Sequence, residues 1–228
     1  MSEEIIPGAL YIVSTPIGNL EDITLRALRI LKEVDLIAAE DTRVTSRLLQ
    51  EYDIPTSMVS YHDHNKEQKT PELLTHLHSG QTLALVSDAG TPGISDPAFY
   101  LVREASREDI RIIPVPGPSA ALATLVVSGL PTDRWVFEGF LPRKKGRHTR
   151  LINLMEEHRT IIIYESPYRV LRTLSDLLEY WGDRNIVVGR ELTKRFEEIV
   201  RGTITEVQQY FENHTVKGEF VLVVEGKS

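Results

Sequence analysis

The segment Ser87–Pro97 (SDAGTPGISDP) contains the residue types that point most clearly to chemistry. Glycine lets the backbone approach a ligand closely, and proline holds the chain without help from side chains. The carboxylate of Asp88 can accept two hydrogen bonds from hydroxyl groups. A loop that only connects two elements rarely needs all of these features. The segment therefore predicts one wall of a ligand pocket.

Three further loops follow predicted strands. The first is Thr15–Asn19 (TPIGN), whose single glycine forms neither a G-x-G-x-x-G motif nor a Walker loop, so a dinucleotide or nucleoside triphosphate site is poorly supported. The second is Ala39–Arg43 (AEDTR), where charged residues flank a hydroxyl group. Such a cluster is either a helix cap with an ion pair or a catalytic group. The third, Pro116–Ala121 (PGPSAA), presents backbone amides and Ser119 at the start of a helix.

These loops need a scaffold that brings them together. The first half of the chain alternates short apolar runs with helical patterns, which is typical of a parallel sheet with crossover helices. In such open sheets, ligands bind beyond the carboxyl ends of the strands, where the four loops lie. The predicted strands are Ala9–Ser14, Asp35–Ala39, Ser57–Tyr61, Thr82–Ser87 and Ile110–Val115, and the predicted helices are Leu20–Val34, Thr45–Tyr52, Pro71–His78, Pro97–Ser106 and Ser119–Val127.

Glycine and proline in Ser128–Arg134 (SGLPTDR) interrupt the periodicity, so we expect two α/β domains, residues 1–128 and residues 129–228. In the second domain, two strands adjacent in sequence predict a mixed sheet. Its predicted strands are Trp135–Phe140, Thr160–Tyr164, Asn185–Glu191, Glu198–Arg201 and Glu219–Val224, and its predicted helices are His148–His158, Tyr168–Trp181 and Ile204–Asn213.

The composition excludes several kinds of site. The 228 residues include no cysteine, which rules out disulfides, thiolate metal sites and cysteine nucleophiles and fits a reducing cytoplasm. No segment has the pattern of a signal peptide or the length of a membrane span, so we expect a soluble cytoplasmic protein with no membrane partner. His62, Asp63 and His64 are metal ligands by type, but strand alternation places the two histidines on one face without a third ligand, and we predict no metal site.

The charged residues are unevenly distributed. A net charge of −7 argues against a surface that is coated with nucleic acid, because such binding depends on neutralised phosphates. One run has the opposite sign, since residues 143–150 contain five basic side chains and no acid. The run is either a solvated loop or an RNA contact. The predicted RNA-binding residues are Arg143, Lys144, Lys145, Arg147 and Arg150.

The four loops, together with Tyr164–Pro167 (YESP), Gly189–Lys194 (GRELTK) and Lys217–Phe220 (KGEF), strongly resemble the tetrapyrrole methylase superfamily over nearly the whole chain. The resemblance implies two α/β domains with S-adenosylmethionine in the cleft between them, usually in a homodimer and without a metal. By motif, it implies that the cofactor-binding residues are Pro16, Gly18, Asp88, Thr91, Ile94, Ser119, Ala120, Tyr164, Leu192 and Gly218.

A narrower resemblance concerns the acceptor. Residues 15–20 (TPIGNL), 39–43 (AEDTR), 62–65 (HDHN), 86–92 (VSDAGTP) and 138–142 (EGFLP) are similar to those of members that methylate a cytidine ribose 2′-hydroxyl in the decoding region of 16S rRNA. The implied partner is the small ribosomal subunit. Longer members continue into a basic helical extension thought to help hold RNA, whereas this sequence ends at Ser228, which lowers the expectation that it binds intact ribosomes.

A ribose hydroxyl is a weak nucleophile, so a base or a nearby cation should assist its attack on the methyl group by about 10²–10⁴-fold. We predict Asp41, Arg43 and Lys194 as the acceptor-side set. Structural alternatives remain, because Arg43 could instead pair with Glu40, and Lys194 with the acidic pair 197–198. The other candidates for this role are Glu40, His62, His64 and Glu191.

Two other functions share the same cofactor loops. One is methylation of a tetrapyrrole or corrinoid precursor, which fits the basic run and the polar residues 62–65 less well than a phosphate-bearing acceptor does. The other is a module that binds S-adenosylmethionine without catalysis. Tight cofactor binding without methyl transfer to any RNA particle would favour this last function.

Overall fold

A computed structural model describes residues 4–227, and in it the first half of the chain forms a five-stranded sheet. All of its strands are parallel, in the order β3-β2-β4-β1-β5. The predicted parallel sheet is confirmed, and each strand is slightly shorter than predicted. The strands are β1 (Leu10–Val13), β2 (Leu36–Ala39), β3 (Met58–Ser60), β4 (Leu83–Val86) and β5 (Ile112–Val115).

The helices of this half are α1 (Leu25–Glu33), α2 (Thr42–Glu51), α3 (Lys66–His78) and α4 (Ala98–Arg107). The single helix predicted from Leu20 is interrupted. A short 3-10 helix, Leu20–Asp22, comes first, and α1 begins after Thr24, whose side chain accepts a hydrogen bond from the Ala27 amide at 3.0 Å. Helix α3 begins before the predicted start at Pro71 and contains this proline.

Both faces of the first sheet are buried, which explains why its strands are continuous apolar runs. Tyr11, Ile37 and Ala84 point into a core shared with α1 and α2. Their neighbours along the strands point the opposite way, for example Leu10 and Leu83, into a second core shared with α3 and α4. The sheet is therefore rigid, and its carboxyl edge positions the loops that follow it.

The second half forms the predicted mixed sheet, whose five strands lie in the order β6-β7-β10-β8-β9. Strands β6 and β7 are parallel, and β10 is antiparallel to both of its neighbours. The strands are β6 (Trp135–Phe140), β7 (Thr160–Glu165), β8 (Asn185–Arg190), β9 (Glu198–Thr203) and β10 (Phe220–Val224). The helices are α5 (Ala120–Ser128), α6 (Arg147–Met155), α7 (Val170–Trp181) and α8 (Ile204–Glu212).

Helices α6, α7 and α8 cover one face of this sheet, where Leu174 and Leu177 of α7 pack with Ile163 and Leu222. Helix α5 contacts β7, β8 and β10. A Cβ atom on Gly189 would lie 2.9 Å from Thr124 Oγ1, so a glycine is needed where β8 passes α5.

The chain divides into two compact units, of which the first ends at Ser119 and the second begins at Ala120. The boundary expected after Ser128 would assign α5 to the first unit. Packing, rather than the glycine and proline that follow, decides this point, since α5 contacts strands of the second sheet. Within residues 4–227, no helix is long and apolar enough to cross a membrane.

Candidate active site

The loops after β1 and β4 are joined by backbone hydrogen bonds at the carboxyl edge of the first sheet. The Thr15 amide donates to the Gly90 carbonyl at 2.9 Å, and the Gly90 amide donates to the Thr15 carbonyl at 3.1 Å. Gly90 has a φ of +82°, a conformation that glycine adopts without a steric cost. The predicted cofactor residues Pro16 and Gly18 lie in the first of these loops, half-buried and exposed respectively.

The turn after β5 is attached to the same edge. A Cβ atom on Gly117 would lie only 2.8 Å from Ser14 Cβ, so a larger residue there would push the two loops apart. The Thr91 hydroxyl donates to the Pro118 carbonyl at 3.2 Å and lies 3.0 Å from Ser14 Oγ. Thr91 therefore braces three loops with its hydroxyl. Ser119 and Ala120, both half-buried, complete the turn.

Asp88 presents an exposed carboxylate at the end of β4. Its Oδ1 accepts a hydrogen bond from the Asp41 amide at 2.9 Å, which leaves lone pairs for further donors. Partial burial raises the pKa of Asp88, and the Asp41 and Asp96 carboxylates add to this rise. Ile94, in the same loop, is also exposed. The loop keeps its shape because Asp96 accepts hydrogen bonds from the amides of Gly93 and Ala98.

Asp41 and Arg43 form an exposed ion pair. The Arg43 guanidinium donates to Asp41 at 3.0 Å from Nε and at 2.6 Å from Nη2, while Asp41 also caps α2 through the Arg43 amide. The alternative partner Glu40 is therefore wrong. These hydrogen bonds hold the pKa of Asp41 well below its usual range. Asp41 is ionised at neutral pH and is a weak proton acceptor.

Glu40, one residue earlier, has a different environment. It is half-buried at the end of β2 and forms no ion pair within residues 4–227. Burial raises its pKa, and the neighbouring carboxylates of Asp88, Asp96 and Asp63 raise it further. Of the two carboxylates after β2, Glu40 is thus the better proton acceptor near neutral pH.

His62 and His64 lie beside each other in the loop after β3, with ring centroids 5.9 Å apart. The His62 amide donates to Asn65 Oδ1 at 2.8 Å, which orders the start of α3. The part of the chain that the structure describes contains no group of three His, Cys, Asp or Glu side chains placed to hold a metal ion.

In the second unit, Tyr164, Leu192 and Gly218 lie at one edge of the sheet. Phe220 opens β10 opposite Glu165 and Arg190, so the start of β10 meets the ends of β7 and β8. The Tyr164 hydroxyl accepts a hydrogen bond from the Ala121 amide at 3.3 Å, which attaches the first turn of α5 to the end of β7. Residues that are distant in sequence are thus brought to one edge of the second sheet, and their contact with a cofactor stays a prediction.

Lys194 forms two ion pairs at this edge. Its Nζ donates to Glu191 at 2.9 Å and to Glu219 at 3.0 Å, so the expected pairing with residues 197–198 is wrong. The physical reason lies in the backbone, because Glu191 (φ 50°) and Thr193 (φ 64°) both turn left-handed and fold Lys194 back towards Glu191. Burial alone would lower the pKa of Lys194, but the two carboxylates raise it above its ordinary value. Lys194 is therefore a permanent cation.

Gly218 makes this arrangement possible. Its φ is +89°, and a Cβ atom there would lie 2.3 Å from the carboxyl carbon of Glu191. The Glu191 carboxylate also accepts a hydrogen bond from the Glu219 amide at 3.0 Å. Any side chain at position 218 would displace the partner of Lys194.

The basic run follows β6, whose last residue, Phe140, pairs with Tyr164. Arg143, Lys144 and Lys145 are exposed. Arg147 is not an RNA contact: its side chain is 6% exposed and donates to Asp176 at 2.6 Å and to Thr173 at 2.8 Å. A buried, paired guanidinium cannot reach a phosphate without breaking the fold.

Arg150 is half-exposed and donates two hydrogen bonds to Glu138, at 2.6 and 2.5 Å. Its charge is largely neutralised by this carboxylate. The part of the run that is open to an anionic partner is thus the loop Arg143–Lys145, which we call the basic loop.

The sequence and the fold of each unit can be compared with known proteins. Residues 9–208 match the model of the Tetrapyrrole (Corrin/Porphyrin) Methylases. The chain belongs to this family. Three relatives share the name "Ribosomal RNA small subunit methyltransferase I", and the chain covers more than two thirds of each of them.

The Synechocystis relative is 54% identical over 96% of this chain and 79% of its own length. The relative from Halalkalibacterium halodurans is 53% identical over 96% of this chain and 76% of its own length. The Thermotoga maritima relative is 49% identical over 96% of this chain and 99% of its own length.

Solved structures agree in fold. A cobalt precorrin-4 methyltransferase gives a TM-score of 0.72 at 18% identity, covering 96% of this chain and 95% of its own. Uroporphyrin-III C-methyltransferase from Thermus thermophilus, complexed with S-adenosylhomocysteine, gives a TM-score of 0.65 at 21% sequence identity. The match covers 94% of this chain and 96% of that protein's chain. The family consists of S-adenosylmethionine-dependent methyltransferases, and this chain is one of them.

Some features of the site have no clear signal in the sequence. Ser14 and Gly117 lie against each other although they belong to different loops. Glu219 binds Lys194 although the two lie 25 residues apart in the sequence, with the whole of α8 between them. One hint in the sequence is Gly218, two residues before the apolar strand β10, because glycine adopts the positive φ found there without a steric cost.

Proposed function

We propose that this chain transfers a methyl group from S-adenosylmethionine to the 2′-hydroxyl of a cytidine ribose in 16S rRNA of the small ribosomal subunit. The observation that carries the proposal is the identity of 49–54% with relatives named for small-subunit ribosomal RNA methylation, over 96% of this chain in each case. The matched region covers 96% of the chain and therefore extends over both units, which carry the acceptor-side and the cofactor loops.

The loops of the first unit suit the cofactor. Asp88 offers a carboxylate to the ribose hydroxyls, and Pro16, Gly18 and Ile94 lie on the two loops that are bonded together. We assign Thr91 and the turn Ser119–Ala120 to shaping this wall, because the Thr91 hydroxyl is already used within the protein. From the second unit, Tyr164, Leu192 and Gly218 are the proposed contacts.

When bound, S-adenosylmethionine would supply an electrophilic methyl group and a thioether leaving group, so that a C–O bond to an acceptor placed opposite the sulfur could form as the C–S bond breaks and S-adenosylhomocysteine leaves. As the new C–O bond forms, the acceptor hydroxyl loses its proton and its oxygen carries negative charge. Two carboxylates keep Lys194 protonated, and we propose that its Nζ exchanges the exposed Glu219 carboxylate for the acceptor oxygen as that charge forms. Asp41 and Arg43 suit orientation of the acceptor, and Glu40 suits removal of the proton.

The basic loop Arg143–Lys145 is the proposed RNA contact. Its three cations are exposed and leave the end of β6 next to Tyr164. Cations of this kind bind phosphates with little sequence preference, which suits positioning rather than selection of the nucleotide. A homodimer in the cytoplasm, where ribosomes are assembled, completes the proposal, and sedimentation analysis measures the oligomeric state.

The test is incubation with unmethylated small ribosomal subunits and labelled S-adenosylmethionine, followed by mapping of the modified nucleoside. The expected product is one 2′-O-methylcytidine in 16S rRNA. A corrinoid precursor is offered in parallel, and labelling of that precursor alone would overturn the proposed acceptor. Tight cofactor binding in calorimetry with no transfer to either acceptor would instead indicate a binding module.

A further inference from the structure

An aromatic ring stands in solvent beside the segment Ser87–Pro97. Phe99 is the second residue of α4, which begins directly after that segment, and it is 64% exposed. An exposed phenylalanine ring adds little to the stability of the fold, because most of its apolar surface stays in water. Its position at the carboxyl edge of the first sheet places it on the same side as the cofactor loops.

One cation, Arg103, lies against both Phe99 and its neighbour in sequence Tyr100, and a second cation lies against Tyr100. The Arg103 guanidinium carbon lies 5.8 Å from the Phe99 ring centroid and 4.8 Å from that of Tyr100. Lys66, in the first turn of α3, has its Nζ 5.9 Å from the Tyr100 ring centroid. We call Phe99, Tyr100, Arg103 and Lys66 the α4 platform. Because the guanidinium is planar and its contacts with the two rings hold it in place, another flat group can stack on it.

The charges of this surface favour a base over a phosphate. Arg103 Nε donates to Glu104 at 2.7 Å, and Lys66 Nζ donates to Asp63 at 2.8 Å. Arg107 shares Glu104 with Arg103, but Arg103 Nε and Lys66 Nζ each already donate to a carboxylate and therefore attract a free phosphate less than unpaired cations would. The faces of Phe99 and Arg103 need no net charge to bind the flat face of a nucleobase.

We propose that the α4 platform stacks an unpaired nucleobase of the acceptor RNA. Proteins recognise single-stranded RNA by stacking splayed bases on aromatic rings and guanidinium planes, which is the surface found here. The proposal rests on the proposed function, since it deepens the same acceptor site. It divides the work between two surfaces: the platform holds a base, and the basic loop Arg143–Lys145 holds phosphates.

The test measures binding of a fluorescein-labelled single-stranded RNA with the sequence of the 16S decoding region, by fluorescence anisotropy over a range of salt concentrations. Base–aromatic stacking is lost by substitution to alanine, so Phe99→Ala should raise Kd about 5- to 150-fold. The slope of log Kd against log salt concentration should stay unchanged, because no phosphate contact is lost. Phe99→Tyr keeps the ring and should retain the parent affinity.

A matched control is Trp135→Leu, which also removes an exposed aromatic ring. Trp135 begins β6 and pairs with the first residue of β7, at the end of the second sheet away from Tyr164. This variant should bind like the parent chain. The unfolding midpoint of Phe99→Ala should equal that of the parent, because the ring is mostly exposed.

Three results would refute the proposed role of the α4 platform. Phe99→Ala could bind the RNA as tightly as the parent chain, or the parent chain could fail to bind it. Phe99→Ala could also sediment as a smaller particle than the parent chain. The last would make Phe99 a contact between copies of the chain. Methyl transfer to small ribosomal subunits is measured on the same preparations. RNA binding that depends on Phe99 without any methyl transfer would keep the platform and refute the proposed reaction.

Discussion

The buried Arg147 offers a sharp test of which basic residues act on RNA. Its guanidinium donates to Asp176, to Thr173 and to the Pro142 carbonyl, at 2.6, 2.8 and 3.3 Å. Arg147→Ala removes all three hydrogen bonds and leaves the Asp176 carboxylate without its main partner. We therefore expect a loss of stability and no direct effect on RNA.

The magnitude follows from burial. Removing one member of a buried ion pair costs about 3–5 kcal/mol, because the remaining charge is stranded. Asp176 is 21% exposed, and Arg172 Nε lies 4.0 Å from its Oδ2 and can act as a substitute partner. The cost should therefore lie at the lower end of this energy range. The expected loss is about 3 kcal/mol of unfolding free energy. Arg143→Ala, on the exposed basic loop, should change it by less than about 0.5 kcal/mol.

Urea denaturation of both variants measures this difference, and anisotropy with the decoding-region RNA measures their salt dependence. Arg143→Ala should lower the salt slope by about 0.7, the value for one phosphate contact on a single strand, whereas Arg147→Ala should leave it unchanged. The double variant Arg147→Ala/Asp176→Ala should lose less stability than the sum of the two single variants. Wild-type stability of Arg147→Ala together with a reduced salt slope would refute the reasoning.

Three further predictions concern the proposed chemistry. Lys194→Ala should lower kcat about 10²-fold, while the Kd for S-adenosylmethionine measured by calorimetry stays unchanged. Lys194→Arg should recover part of the rate. An equal loss of rate and of cofactor affinity in Lys194→Ala would contradict the role of Lys194 on the acceptor side. Glu40→Gln should slow methyl transfer and also stabilise the fold. Folding raises the pKa of Glu40, so the parent protein loses stability as the pH rises through that pKa, and glutamine removes this loss. Denaturation should therefore show a more stable variant at neutral pH and no gain below the ordinary pKa of glutamate. Gly218→Ala should destabilise by about 1–3 kcal/mol through its positive φ and displace Glu191, and an unchanged unfolding midpoint would refute the clash.

Much of the architecture was readable in the sequence. Continuous apolar runs such as Leu83–Val86 predicted buried parallel strands, because a sheet covered on both faces has no polar side. The loops after β1, β2, β4 and β5 were located correctly, since parallel strands place their carboxyl ends at one edge. The family motifs implied that Tyr164, Leu192 and Gly218 contact the cofactor, which stays a prediction; the structure places all three at one edge of the second sheet.

The partners of charged side chains were not readable in this way. Arg43 pairs with Asp41 and not Glu40, Lys194 pairs across to Glu219, and Arg147 turns into the core. Each outcome depends on side-chain direction and on loop backbone angles, which residue spacing does not specify.

The sequence alone therefore determined the order of strands and helices along the chain, the loops proposed to carry the chemistry, and the family. The tertiary structure decided which of the charged groups pair with each other. The physical reason is that hydrophobic periodicity is a local property of the chain. An ion pair or a cation–aromatic stack such as Arg103 with Phe99 and Tyr100 depends on the exact packing of side chains in the folded protein.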